Sequence, residues 1–440
     1  MKAKVLMISM LSVLFFSCDN DVADAPVVIA TEAQEGNTFV DVNKRSYTEA
    51  LAIAQKSIPM LEKGTGQTRG IPIHRTINQK DGIVTICSDT RITRSGNRQT
   101  DTLLYVFNFN NDEGFAVVSA SRKTEGLIAI TENGNYKEGD SIDNPGFSFY
   151  MKQAKTYVET AMRAEASTRG TTIKYWKVTN DTINYIEIPK KIQVSWGQGG
   201  IAGQFCPNYI AGCGPTAAVQ IMSYYQHPTY FQYTYPNCDI TNQLVSWNLI
   251  NQHTSVYSHP SPLCSTYPDL DTTIGRIFRQ VGHAAGATYH SDGSGTSTTV
   301  NNILNVLRNF GYQVSDLQNY STNTNLISEL QNNRLVFMSG YNSENSGHGW
   351  VVDGGSHLEA RNIAMVSEDG INWEIYWDRI ITVTYNHINW GWDGLCNGLF
   401  LDIVFNANNC FLPDTPGLSS VTGDCDFNNN KKYATVYFNN

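Results

Sequence analysis

The stretch Ala211-Gly212-Cys213-Gly214-Pro215-Thr216-Ala217-Ala218 sets a cysteine just ahead of a segment that Pro215 opens as a helix and that runs towards Pro228. A thiol facing the unsatisfied N–H groups of a helix start sits in their positive potential, which favours the thiolate, the nucleophilic form. Gly212 and Gly214 let the backbone and a substrate carbonyl come close. Standing alone, a cysteine before a core helix is a buried structural thiol. The nucleophile reading therefore needs a base elsewhere in the chain.

His348 supplies the candidate, in Ser346-Gly347-His348-Gly349-Trp350-Val351-Val352-Asp353-Gly354, where glycines flank an imidazole at the mouth of an apolar strand. A neutral imidazole can take a thiol proton and later protonate the leaving amine. Among the nine histidines His387 is the one serious competitor; the others have no comparable setting. Asn389-Trp390-Gly391-Trp392-Asp393-Gly394 adds an amide to hold the imidazole tautomer and an indole to shield that bond, although paired tryptophans are more often core packing. Upstream, Ser195-Trp196-Gly197-Gln198-Gly199-Gly200 offers the Gln198 NH₂, which could join the Cys213 N–H as an oxyanion hole for acyl transfer.

Read in chain order, Trp-Gly-Gln-Gly from Trp196, Gly-Cys with Gln220-Ile221-Met222, Gly-His-Gly-Trp-Val-Val-Asp-Gly from Gly347 and His387-Ile388-Asn389-Trp390-Gly391-Trp392 resemble the streptopain family of papain-clan cysteine peptidases. The resemblance spans roughly residues 190 to 405, and Val281 to Tyr312 is similar to the family's active-site loop and following helix. It implies an α+β fold: a papain-like domain with a helical part and an antiparallel β part, preceded by a small α+β prodomain that inhibits it. It further implies Cys213 as nucleophile, His348 as base, Gln198 as oxyanion donor, Asn389 and Trp390 around the histidine, and Gly347 and Trp392 against substrate. The implied activity is that of an endopeptidase preferring an apolar residue two positions before the scissile bond, with no cofactor and no metal. Three departures stand out: Gly214-Pro215 after the nucleophile, Gly199-Gly200-Ile201-Ala202-Gly203 after Gln198, and a longer chain between Asp353 and Asn389, read as an extra hairpin bordering the cleft.

The rest of the sequence accommodates such a precursor. Lys2 and Lys4 precede the apolar run Val5 to Phe16, too short for a bilayer span but suited to a signal peptide (residues 1–17). Ser17-Cys18 before Asp19-Asn20-Asp21 reads either as a lipoprotein cleavage box, with a lipid anchor at Cys18, or as an ordinary signal end with an incidental cysteine. Both place the protein outside a bacterial cytoplasm, secreted or at the cell envelope. After a linker at 18–40, Tyr47, Leu51, Ala54 and Ile58 line one helical face that Pro59 is expected to end. Thr102 to Phe109 and Phe115 to Ala120 predict a hairpin, Leu127 starts another strand, and Tyr150, Ala154, Tyr157, Val158 and Ala161 share a second helical face.

These elements define a prodomain at 41–164, a processing junction at 165–190 that begins with the small and polar Ala164 to Gly170, and a catalytic domain at 191–440. Within the last, Ile274, Ile277, Phe278 and Val281 predict one helix, and Val300, Ile303, Leu304 and Leu307 another. Leu335 to Met338 and Trp350 to Val352 read as strands, and Trp373 to Asn389 as a long twisted hairpin.

Thirty-one basic against 40 acidic residues, net −9 with no basic stripe, argue against nucleic acid as a partner. Protein or peptide substrates remain. Cys206, Cys238, Cys264, Cys396, Cys410 and Cys425 allow up to three disulfides in an exported protein, while no zinc-type spacing occurs. Another papain-like acyl transferase or amidase would use the same Cys-His chemistry, and a non-catalytic surface binding protein could keep the scaffold. The complete side-chain set favours the peptidase.

Overall fold

The structure is a computed structural model; it describes residues 44–63, 74–78, 82–89, 91–92, 98–137, 143–163, 175–231, 244–253, 269–321, 324–341, 347–367, 371–409 and 431–439. The signal segment, Cys18 and the Ala164 to Gly170 boundary lie outside these residues.

Helix α1 (Tyr47–Lys63) starts with a reciprocal capping pair: the Ser46 N–H donates to Glu49 Oε2 at 2.8 Å, and the Glu49 N–H donates back to Ser46 Oγ at 3.3 Å. Pro59 does not end it; the helix runs on to Lys63. Leu61 is buried in the same cluster as Ala50 and Ala54, so tertiary packing carries the last turn past a missing N–H. Strands β2 (Thr102–Asn108) and β3 (Phe115–Ser119) form the expected hairpin and β4 (Leu127–Thr131) the expected further strand, while β1 (Ile83–Cys87), which the sequence reading did not foresee, extends them to an antiparallel meander.

Period-two alternation sends Phe107, Ala116, Val118 and Ile130 towards α1. Val106, Phe115, Val117 and Ala129 enter the main core, with Phe147, Tyr150, Ala154 and Tyr157 of α2 (Pro145–Arg163). Each fully buried aromatic of this kind contributes on the order of 1.5–3 kcal/mol.

Strand β5 (Tyr175–Ile188) follows, inside the segment expected to be a junction. The C-terminal half then lays α3 (Cys213–Tyr225), α4 (Leu270–Ala284) and α5 (Val300–Asn309) against a sheet of β6 (Leu335–Tyr341), β7 (Gly347–Ser367), β8 (Glu374–Asn389), β9 (Gly398–Leu401) and β10 (Lys432–Tyr437). The apolar stripes predicted for α4 and α5 are buried, with Ile274, Ile277, Phe278, Val281, Ile303, Leu304 and Leu307 all in the core. The protein is thus α+β, with an antiparallel sheet running β1-β2-β3-β4-β9-β8-β7-β6-β10. The N-terminal and C-terminal strands join edge to edge where Ala129 opposes Phe400 and Thr131 opposes Gly398.

Trp373 to Asn389 is not a hairpin in itself. Residues from Glu374 form one strand, whose partner arm is β7, paired from Val351–Asn389 to Val366–Glu374, with β5 on the other side of β7. The hairpin tip lies most of a 21-residue strand away from His348, roughly 60 Å of strand path, while its base pairs close to His348, where Val351 opposes Asn389. Cys206 and Cys396 carry no disulfide among the described residues, which reduces the expected disulfide set; Cys238, Cys264, Cys410 and Cys425 lie outside the described residues.

Candidate active site

The nucleophile segment folds as its glycines require. Gly212 takes φ +94°, a left-handed backbone at which a side chain would also crowd Thr296 at 3.1 Å, and this turn delivers Cys213 to the first position of α3. The helix behind it is apolar because it is engulfed: Gly214 to Ser223 are all buried.

Opposite stands the start of β7, where Gly349 pairs with Ser339 and His348 with Gly340. His348 and the backbone N–H groups of Gly349 and Gly214 are the groups that act on the Cys213 thiol. Burial pushes the thiol up, but the hydrogen bond and charge of His348, with those N–H groups, outweigh it and bring it below the ordinary cysteine value.

The second imidazole nitrogen decides the chemistry. His348 Nε2 lies 2.9 Å from the Trp390 carbonyl oxygen. A carbonyl only accepts, so Nε2 carries the proton and Nδ1 is left as the acceptor for the thiol proton. The ring is walled by Trp350 (centroids 6.2 Å, planes 22° apart), Trp390 (6.4 Å) and Trp392 (5.9 Å, 70°). Trp390 is itself pinned, its N–H to Asn397 Oδ1 at 2.9 Å and its Nε1–H to the Cys396 carbonyl at 3.0 Å.

Asn389 does not hold the imidazole. Its Nδ2 donates to the Val194 carbonyl at 2.9 Å, and its Oδ1 accepts from Gln220 Nε2 at 3.0 Å and the Gly391 N–H at 3.2 Å. The amide is spent on shaping the 389–391 turn, and that turn presents the Trp390 carbonyl instead. Gln220, singled out in the sequence only as part of a motif, also donates to the Trp196 carbonyl at 2.8 Å. It therefore ties the loop before Gln198 to the loop after Asn389. The same two loops meet again where the Gly197 N–H donates to Asp393 Oδ1 at 3.2 Å.

Gln198 is half-buried, and its carbonyl accepts the Ala211 N–H at 2.8 Å, two residues before Cys213. Gly347 is exposed at the mouth and Trp392 half-buried beside the histidine. Among the described residues no group of three or more His, Cys, Asp or Glu is placed to hold a metal ion.

One element of the site has no precursor in the motifs. Pro145, Gly146 and Phe149 at the start of α2 close a small cleft with Gly340, Gly347, His348 and Trp350. A side chain at Gly146 would reach His348 Cδ2 at 2.7 Å and collide with the Trp390 ring. Asn144 Nδ2 fastens this turn to the Leu395 carbonyl at 2.7 Å. The Tyr150 hydroxyl, 2.8 Å from the Ile128 carbonyl and 3.2 Å from that of Leu401, fastens the next. The start of α2 thus sits directly on the His348 side of the cleft.

Comparison with known proteins gives two family matches. Residues 196–400 match the model of the Peptidase C10 family, and residues 41–158 match that of the Spi protease inhibitor. Streptopain of Streptococcus pyogenes is 22% identical over 366 residues, covering 73% of this chain and 83% of streptopain. A prointerpain A fragment of Prevotella intermedia covers 80% of this chain and 98% of its own at 17% identity and a TM-score of 0.47. Active interpain A covers 56% and 94% at 16% identity and a TM-score of 0.37.

Proposed function

We propose that this chain, a streptopain-like precursor of a cysteine peptidase, hydrolyses peptide bonds in proteins through a Cys213 thioester once its inhibitory prodomain is removed. In that reading the Cys213 proton passes to His348 Nδ1 and the thiolate attacks the scissile carbonyl carbon. The oxyanion is met by the Cys213 N–H and the Gln198 amide, and the imidazolium protonates the leaving amine. Water, deprotonated by the same imidazole, then releases the acyl group. The observation that carries the reading is the setting of His348: its Nε2 lies on the Trp390 carbonyl, and the imidazole lowers the Cys213 thiol below its ordinary value.

Gly347 and Trp392, at the mouth of the cleft, contact substrate, with an apolar preference two residues before the cut. Maturation falls in 164–174, between α2 and β5. The whole of β5 pairs with β7 from Gly355–Ile188 to Ser367–Tyr175, so a cut further on would strip a strand from the catalytic half. Export by the N-terminal signal, with or without a lipid on Cys18, completes the proposal.

Precursor held under reducing conditions should lose its N-terminal domain and then degrade casein to fragments with new N-termini. Equal shortening of Cys213→Ala would sink self-processing, and intact casein would sink the peptidase assignment.

A further inference from the structure

His387 belongs to the same sheet as His348 and plays no part in the chemistry above. It is almost fully buried, and its Nδ1 lies 2.6 Å from Asp353 Oδ1. Asp353 is completely buried, accepts the Ile192 N–H on Oδ2 at 2.8 Å, and takes the Lys191 N–H on its carbonyl at 3.1 Å. It is also the residue at which the β7–β8 ladder slips: Val352 opposes Ile388, Gly354 opposes His387, and Asp353 is the extra residue of a bulge. Bulges beside active sites re-aim side chains, and a one-residue slip in register would turn every side chain beyond it to the other face.

On one side of this bulge β7 carries His348. On the other strand, immediately past Asn389 opposite Val351, stands the Trp390 carbonyl that His348 needs. We propose that the buried Asp353–His387 pair is a positioning device that pins the register of β7 against β8, and through it the contact between the catalytic imidazole and the Trp390 carbonyl.

The pair is built as a charged clamp. In the precursor His387 Nε2 also faces Glu132 Oε1 at 3.5 Å, just beyond β4, and Glu132 in turn holds Lys190 Nζ at 2.8 and 2.7 Å. Burial pushes the imidazolium down, but the charge and hydrogen bond of Asp353, then those of Glu132, raise His387 to about 9. A buried ion pair adds little net stability but resists rearrangement, because separating its members leaves an unpaired charge in the core. Asp353 and Lys190 stay with the catalytic half when the prodomain leaves, so the clamp outlasts Glu132.

This inference rests on His348 as the base. Full-chain precursors carrying His387→Gln or Asp353→Asn are matured, and turnover is measured per titrated active site with the pH dependence of Cys213 alkylation by iodoacetamide. Turnover per site should fall about 10- to 100-fold with KM within about twofold, and the acid limb of alkylation should move to higher pH as the thiolate loses its partner. Wild-type turnover per site and an unmoved limb would overturn the inference, even with fewer folded molecules. If Asp353→Asn does not fold, His387→Gln decides, since it leaves the Ile192 bond in place. His348→Ala separates the two ideas: activity surviving in that variant defeats the proposed mechanism, whereas its loss beside a wild-type His387→Gln defeats only the clamp.

Discussion

His348 and His387 lie on neighbouring strands of one sheet, yet their surroundings differ in every respect that governs proton traffic. His348 is half-exposed at a strand mouth, boxed by three indoles, with one nitrogen on a neutral carbonyl and the other against a thiol. His387 is buried between two carboxylates that hold its proton up to about 9. A base must give and take a proton within one turnover, which suits the first setting and not the second. The contrast teaches that an imidazole's role is written by its neighbours: the same residue serves as base beside a thiol and as a fixed cation between carboxylates.

The largest expected effect breaks the comparison at the reactive end. His348→Ala or Cys213→Ala should lower turnover of the matured enzyme by about ten-thousand-fold or more while the precursor still folds, because neither side chain carries the core. A hydrolysis assay with active-site titration checks this, and residual turnover within tenfold of wild type would return His387 to candidacy.

A smaller effect should come from the prodomain contact that touches only His348. Gly146→Ala places a methyl against the His348 and Trp390 rings, overpacking that costs about 1–3 kcal/mol. Its precursor should accordingly mature roughly ten- to a hundred-fold faster than wild type. Gel-resolved maturation in time is the measurement, and an unchanged rate would mean that the first turn of α2 does not seal the cleft.

The smallest effect is a pH slope at the other histidine. His387 is raised from 6.5 to about 9, so its contribution to precursor stability is fully present below about pH 6.5 and is lost as pH rises through about 9. Glu132 is different in sign. Burial pushes it up, but His387 and then Lys190 hold it well below the ordinary 4.5, so its contribution is present above about pH 4.5 and fades on further acidification. Melting of the Cys213→Ala precursor should therefore peak between those limits and fall towards pH 9, with a shallower alkaline slope in Glu132→Gln. A melting temperature that climbs from pH 6.5 to 9 would contradict the buried cation.

Much of this site was legible before any coordinates. Gly212-Cys213-Gly214-Pro215 announces a helix start, because proline and left-handed glycine have narrow backbone uses, and the structure bears out that turn. The helical stripes of α2, α4 and α5 and the prodomain hairpin were equally plain, since periodicity records which face is buried. Less legible were features whose cause lies far away in sequence. Pro59 inside α1 is tolerated because Leu61 finds a core. Asn389 was expected on the imidazole and instead braces its own turn, because Gln220 and Val194 reach it first.

By itself, the sequence determined the chemistry on offer: a cysteine at a helix start, a histidine between glycines at a strand mouth, a glutamine loop and a tryptophan-rich turn, together with the apolar periods that build an α+β core. Those are local properties, carried by backbone freedom and side-chain type. Only the tertiary structure decided that a carbonyl rather than an amide meets the imidazole, that α2 seats on His348, and that His387 is locked between Asp353 and Glu132. Each depends on strand register and on contacts between residues from tens to hundreds of positions apart, and hydrogen-bond partners are allotted only when the folded chain brings all competitors within reach of one another.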